Sequence, residues 1–175
     1  MSASANAYHG RRLARLAAVQ GLYACSVGHI SRDDLLDKHR LYWQSHEMDG
    51  LSFENMDQDF FRSLAGGVYD HSSDLNTHIA AHLAPGWKMD RLELVVAHIL
   101  RCALWELQEL DDVPTRTILN EYLEIAHGFC SPQNVSFING LLDQIAREMR
   151  KLDDNNKSEP APKDHPASSR NHERA

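Results

Sequence analysis

Residues 90–110 read DRLELVVAHILRCALWELQEL. Their apolar members Leu92, Val95, Val96, Ile99, Leu100, Ala103, Leu104 and Leu107 recur at three- and four-residue steps, the period of an α-helix. They cover more than one stripe of the helical wheel, so this helix is expected to lie at the centre of the molecule and to be its most buried. Asp90 with Glu93 three residues later resembles a capping box that would open the helix. Asp111-Asp112-Val113-Pro114 would end it after Leu110.

The flanking sequence repeats the same period. Downstream, Pro114 at a first helical turn is expected to start a helix that runs to His127, with Gly128 as its C′ residue. Ser131-Pro132 repeats the start signal for a last helix to about Leu152, with Phe137, Ile138, Leu141, Leu142 and Ile145 inward. Upstream, Leu13, Leu16, Val19, Leu22 and Tyr23 mark a helix from Arg11 to Val27. A weaker one runs from Arg32 to about Gln44, with Leu35, Leu36, His39 and Tyr42 on one side, followed by a loop over residues 45–56. From Asp57 to Leu83 one row reads Phe60, Leu64, Val68, Leu75, Ile79, Leu83, up to the Pro85-Gly86 break. Gly66 and Gly67 weaken that helix locally and leave room for a close neighbour. No window alternates as a strand does. The expected class is all-α, a compact bundle of six or seven helices over residues 11–152. Residues 1–10 are expected to be a flexible N-terminus. Residues 153–175, with three prolines and no large apolar residue, are expected to be a disordered tail.

With 175 residues, 42% of them hydrophobic, the chain suits one domain with a real core. No apolar run approaches the ~18–20 residues of a membrane helix, and Met1–Ala7 lacks the pattern of a signal peptide, so a cytoplasmic location is expected. Cys25, Cys102 and Cys130 are far apart and read as small buried hydrophobes rather than disulfide or zinc partners. Net charge is −7, which argues against binding nucleic acid through the whole surface. Its distribution is uneven. Residues 1–23 hold Arg11, Arg12 and Arg15 and no acid, and residues 151–175 balance five basic against five acidic side chains, which leaves −10 on residues 24–150. A basic start on an acidic body suggests a local anion site.

His78 and His82 have the i, i+4 spacing of a metal pair, but His-Ile-Ala-Ala-His lacks the Glu of the HExxH pattern and a third ligand, so both are read as solvated surface residues. No Gly-rich phosphate loop, GxSxG or Pro-Cys dipeptide is present, and the pairs Asp33-Asp34 and Asp111-Asp112 suit caps and turns. Neither an enzyme nor a cofactor is expected. Arg11, Arg12 and Arg15 stand three and four residues apart and are expected to share one helical face, where guanidinium groups fork onto phosphates and stack on bases. On spacing alone, a solvated basic turn is the better reading.

A family resemblance reverses that weighting. Arg12-Leu13-Ala14-Arg15-Leu16-Ala17-Ala18-Val19-Gln20-Gly21-Leu22-Tyr23 resembles the opening of NusB proteins. So do Ile99–Leu107 (ILRCALWEL), Val113-Pro114, Ile118-Leu119-Asn120-Glu121, Ala126-His127-Gly128-Phe129 and Phe137–Asp143 (FINGLLD), in the family's order. The likeness spans residues 11–150, with nothing specific over 28–56. It implies two small helical bundles and an arginine-rich N-terminal segment that contacts the single-stranded boxA element of nascent RNA. It implies pairing with a ribosomal small-subunit protein, NusE, and action on the RNA polymerase elongation complex to suppress termination, notably in ribosomal RNA operons. By position Arg11, Arg12 and Arg15 match the arginine motif, and Phe129 and Phe137 match aromatics near the RNA; core packing is the other reading of Phe137. Leu13 stands where some members carry another arginine, Cys130–Asn134 lacks an acid, and Val96 and Ala97 replace common charges.

Two competing readings remain at this level. One is a helical protein–protein adaptor that has lost RNA binding, favoured by the acidic body. The other is a stand-alone relative of the helical domain that precedes the catalytic domain of some ribosomal RNA cytosine methyltransferases.

Overall fold

Six α-helices carry the described chain: α1 (Ala3–Gly28), α2 (Gln58–Asp70), α3 (Ser72–Ala81), α4 (Leu94–Glu109), α5 (Thr115–Phe129) and α6 (Pro132–Lys157). The structure is a computed structural model that describes residues 3–39, 47–48 and 51–157. A π-helical turn, Asp34–His39, follows α1, and a 3-10 turn, Met89–Arg91, precedes α4. The expected loop over 45–56 contains a two-residue antiparallel ladder, β1 (Glu47–Met48) on β2 (Leu51–Ser52), with Glu47 opposite Ser52 and Met48 opposite Leu51. The class is all-α, as the periodicity predicts. None of the described helices is long and apolar enough to cross a membrane.

α4 packs on every other α-helix, which is the central place its apolar wheel predicts. Ile99, Leu100, Ala103 and Leu104 are fully buried along it. α1 lies against α2 and α4 through Leu13, Ala14, Ala17, Ala18 and Leu22, where small side chains let the helices approach closely. On the other side α5 and α6 pack on α4 through Ile118, Tyr122, Ile138, Leu142 and Ile145.

Several boundaries differ from the sequence expectation, each for a local reason. The capping box at Asp90 does not form. Leu92 and Glu93 are extended (ψ 143° and 139°), α4 starts at Leu94, and Glu93 Oε1 accepts from Asn134 Nδ2 at 3.0 Å. Pro114 is the residue before α5, extended at ψ 131°, and Gly128 lies inside the helix, which ends at Phe129 with Cys130 as its C-cap. Ser131 Oγ does cap α6, accepting from Asn134 N at 3.3 Å. α1 starts at Ala3, within the segment expected to be loose, and the backbone of α6 continues to Lys157, past the expected stop at Leu152. The rest of the expected tail, and Tyr42 and Gln44 of the expected second helix, lie outside the described residues. Leu35 and Leu36 of that helix are buried.

The single helix expected over 57–83 is two. Its start is as expected, with Asp57 Oδ1 accepting from Phe60 N at 3.0 Å. Phe61, rather than Phe60, is the fully buried ring of the first turn. The break falls at His71, whose backbone N–H and Nδ1 both bond to Gly67 O, each at 3.0 Å. The His71 ring stacks on Trp105 of α4 at 4.9 Å. Trp105 occupies the space Gly67 leaves empty: a Cβ there would come within 2.2 Å of the indole ring. The turn swings α3 onto α4 and brings His82, just past its end, to Glu148 of α6. His78 and His82 are therefore not the solvated pair expected. His78 Nδ1 accepts from Gln108 Nε2 at 3.1 Å, and the His82 side chain, only 10% exposed, places Nε2 at 2.8 Å from Glu148 and Nδ1 at 2.9 Å from the His78 carbonyl. Burial opposes charge on His82, but these two acceptors outweigh it and its pKa is raised.

His98, on α4, is buried with no acid beside it. Its Nδ1 faces the Arg101 guanidinium at 3.3 Å, so Nδ1 accepts and Nε2–H donates to Ser26 Oγ at 2.9 Å. The Ser26 hydroxyl in turn donates to Leu22 O at 3.2 Å, and Arg101 Nε donates to Asn76 Oδ1 at 2.7 Å. Burial first, and Arg101 second, pull the His98 pKa from 6.5 down to about 4.

Two predictions follow from these contacts. Gly67→Ala should lower stability by about 1–3 kcal/mol despite alanine's better helix propensity, because the methyl group meets Trp105. Thermal unfolding in a Trp105→Leu background should recover most of that loss; an equal loss in both backgrounds removes the contact as the cause. Second, folding keeps His98 neutral. Its stabilisation is complete above 6.5 and is lost as pH falls toward 4, about 3 kcal/mol for the whole shift. His82, with its raised pKa, acts in the other direction above 6.5. Urea unfolding should show stability falling below pH 6.5 in the parent and a flatter profile in His98→Gln. The same slope in both would exclude His98 as its source.

Candidate nucleic-acid interface

The three N-terminal arginines do not share a solvent face. Arg15 is 2% exposed, the largest fully buried side chain of the core. Its Nε donates to Glu106 Oε2 at 2.9 Å and Nη2 to Glu106 Oε1 at 2.5 Å, a bidentate pair, while Nη1 reaches Glu121 Oε2 at 3.4 Å. Tyr122 donates its hydroxyl proton to Glu106 Oε2 at 2.9 Å, and Tyr8 donates to Glu121 Oε1. Burial works against the Arg15 charge, but the carboxylates outweigh it and its pKa is raised. Arg15 is thus a core ion-pair residue rather than part of an exposed basic face: two buried carboxylates, on α4 and α5, hold its guanidinium inside.

Arg11 and Arg12 leave α1 on either side of that network. Arg11 turns to the start of α2, with Nε 3.8 Å from Asp57 and its guanidinium over the Phe60 ring at 5.2 Å. Arg15 lies over the same ring at 5.2 Å. This junction is tight at Gly10, whose carbonyl accepts from Asp57 N at 3.1 Å and whose Cβ, were there one, would sit 2.8 Å from Asn55 O. Arg12 turns to α5, 51% exposed, with Nη2 3.7 Å from Glu124.

Arg12 lines a cleft of about 460 Å³ between α1 and α5, whose far end is formed by Gln20, Gly128 and Phe129. Phe129, at the last turn of α5, is 49% exposed. Beyond it a shallower recess of about 320 Å³ is lined by Val19, Gln20, Tyr23, Val95 and Phe129. The structure therefore brings Arg12 and Phe129 together on one cleft. Phe137 is not among its lining residues. It is half-buried against the core, and its ring stacks on exposed Trp87 at 5.9 Å. Sequence reasoning did not single out Gln20 or Trp87 as candidates, and Tyr23, which it placed on the apolar row of α1, is exposed. Trp87 follows a Pro-Gly break, where no period marks a partner; Gln20 carries no signal at all. Among the described residues no group of three His, Cys, Asp or Glu side chains is placed to hold a metal ion.

The burial of Arg15 sets a test. Arg15→Ala should destabilise the fold by about 3–5 kcal/mol, since it strands two buried carboxylates. Arg12→Ala should change stability by less than about 0.5 kcal/mol, as at other exposed sites. Denaturant unfolding of both variants checks the contrast, and equal small effects would refute the interior role.

A sequence profile of the NusB family matches residues 12–147. The transcription antitermination protein NusB of Caulobacter vibrioides is 37% identical over 147 residues, covering 84% of this chain and 99% of that one. The protein of the same name from Rhodopseudomonas palustris strain BisB5 is 34% identical over 137 residues, 78% of this chain and 79% of that one. Among solved structures, T. maritima NusB superposes with a TM-score of 0.67 at 27% identity, over 82% of this chain and 96% of that one. A chain from a crystal structure of the antitermination factors NusB and NusE with double-stranded RNA shares the fold, at a TM-score of 0.65 and 19% identity over 78% of this chain and 96% of that one. With the profile, the relatives and the helical order all agreeing across the same span, the chain belongs to the NusB family.

Proposed function

We propose that this chain is a transcription antitermination factor. It binds the single-stranded boxA element of nascent ribosomal RNA together with a NusE-type ribosomal small-subunit protein, and the pair acts on the RNA polymerase elongation complex in the cytoplasm. The observation that carries this reading is the cleft where Arg12 and Phe129 stand together, both half-exposed. An unpaired strand offers phosphates to a guanidinium and base faces to an aromatic ring, and this cleft presents one of each. Arg11 adds a second cation across α1, and Phe137 with Trp87 adds a further aromatic step. The names of the relatives support the antitermination role, and the complex of NusB and NusE with double-stranded RNA formed by a protein of the same fold supports RNA and NusE as partners. A protein-only adaptor gives no account of a guanidinium and a phenyl ring sharing an open cleft.

With Arg15 inside, two arginines remain for phosphate. Each contact on a single strand contributes a log–log salt slope of about −0.7, so the chain alone should give about −1.4. A chain of net charge −7 with so few contacts should bind weakly by itself and tightly only with a partner that adds cations. The measurement is binding of a synthetic boxA RNA across a salt series, with and without the ribosomal protein. Arg12→Ala should flatten the slope to about −0.7, and Phe129→Ala should weaken binding about 10- to 100-fold with the slope retained. Absence of binding in the presence of the partner, or indifference to both substitutions, would overturn the proposal.

A further inference from the structure

Gln20 stands on α1 two turns beyond Arg12 and lines both recesses that flank the Phe129 ring. Its Oε1 is buried and has no hydrogen-bond donor, alone in this among the described side-chain nitrogen and oxygen atoms. A buried amide oxygen without a donor is costly, and proteins satisfy nearly all such groups. The neighbours do not supply the bond: Val19, Leu16, Val95 and the Phe129 ring carry no donor, and Tyr23 and His9, which line the same recesses, make no hydrogen bond to it. Arg12 shares the larger cleft but faces Glu124. What is missing is an N–H group, delivered into an apolar recess beside an aromatic face.

A nucleobase stacked on Phe129 would bring an N–H edge to this place. We propose that Gln20 is a base-reading residue, whose Oε1 accepts a hydrogen bond from the exocyclic amine of an RNA base stacked on Phe129. This rests on the RNA reading above and deepens it. Arg12 holds phosphate and Phe129 holds any base face, so neither tells one base from another. An acceptor in an apolar recess does when the stacked base turns its exocyclic amine, not a ring N–H, toward it, because a base without that amine then leaves it unmet. Adenine, cytosine and guanine carry such an amine; uracil does not.

The test removes the amine from the RNA and the acceptor from the protein in turn. The full chain with its ribosomal partner is titrated with single-stranded boxA RNA and with versions in which one amine at a time is deleted, purine riboside for adenosine and inosine for guanosine, or cytidine is replaced by uridine. For the parent, one position should lose about tenfold in affinity, the size of one good base-edge contact. In Gln20→Leu that position should become indifferent to the change, with the parent's salt slope. Gln20→Glu keeps the acceptor, so it should keep the discrimination while binding more weakly throughout. The proposal is overturned if Gln20→Leu discriminates at every position as the parent does, or if its thermal stability falls while its base preference stays; Gln20 is then a packing residue. Should the parent fail to bind any of these RNAs, or Arg12→Ala leave binding intact, the underlying RNA reading fails first and this one with it.

Discussion

A single guanidinium in the core ties the first helix to the fourth and fifth. Arg15 meets Glu106 across 91 residues of sequence and Glu121 across 106, so three helices must dock before any of these charges is satisfied. One positive and two negative groups do not balance. The hydroxyls of Tyr8 and Tyr122 each donate to one carboxylate and spread the excess. Desolvating ions costs several kcal/mol each, so such a network adds little net stability over well-packed apolar residues. It contributes direction. Apolar contacts along α1 tolerate small rotations and slips, whereas a bidentate arginine–carboxylate pair accepts one geometry.

The chemistry at the surface depends on that geometry. With Arg15 fixed inward, Arg11 emerges toward α2 and Arg12 toward α5, and each meets an acid loosely, at 3.8 and 3.7 Å. Half-exposed pairs of this kind are worth about 0–1 kcal/mol, so a phosphate displaces Asp57 or Glu124 at small cost. The two arginines are thus held in place by contacts weak enough for an incoming anion to replace. The acidity of the remaining body keeps non-specific attraction for nucleic acid low and leaves discrimination to short-range contacts.

The central helix, the all-α class and the row from Ile138 to Ile145 were legible because burial imposes a period on the sequence, and the period survives without knowledge of partners. Local signals were less reliable. Asp90 and Glu93 have the spacing of a capping box, yet the chain stays extended through Glu93, whose carboxylate bonds to Asn134 on another helix. His71 breaks an apolar row that reads as continuous, because Trp105 arrives from a distant segment and fills the gap at Gly67. The arginines were the hardest case. Their spacing is compatible with one exposed face, and only Glu106 and Glu121 pull one of them inside. Resemblance to the family singles out the segment but does not divide its arginines between core and surface.

The division has a physical logic. A recognition cleft that must hold a flexible strand gains affinity when its own groups are already ordered, since fewer rotamers are lost on binding. α1 supplies Arg12 and Gln20 on the solvent side and the buried network on the other, and Phe129 comes from α5, which carries Glu121 of that same network. The two walls of the cleft are therefore joined by the ion pair beneath it. Core and interface here are not separate regions of the chain. The buried charge of Arg15 sets the positions of the groups that line the cleft.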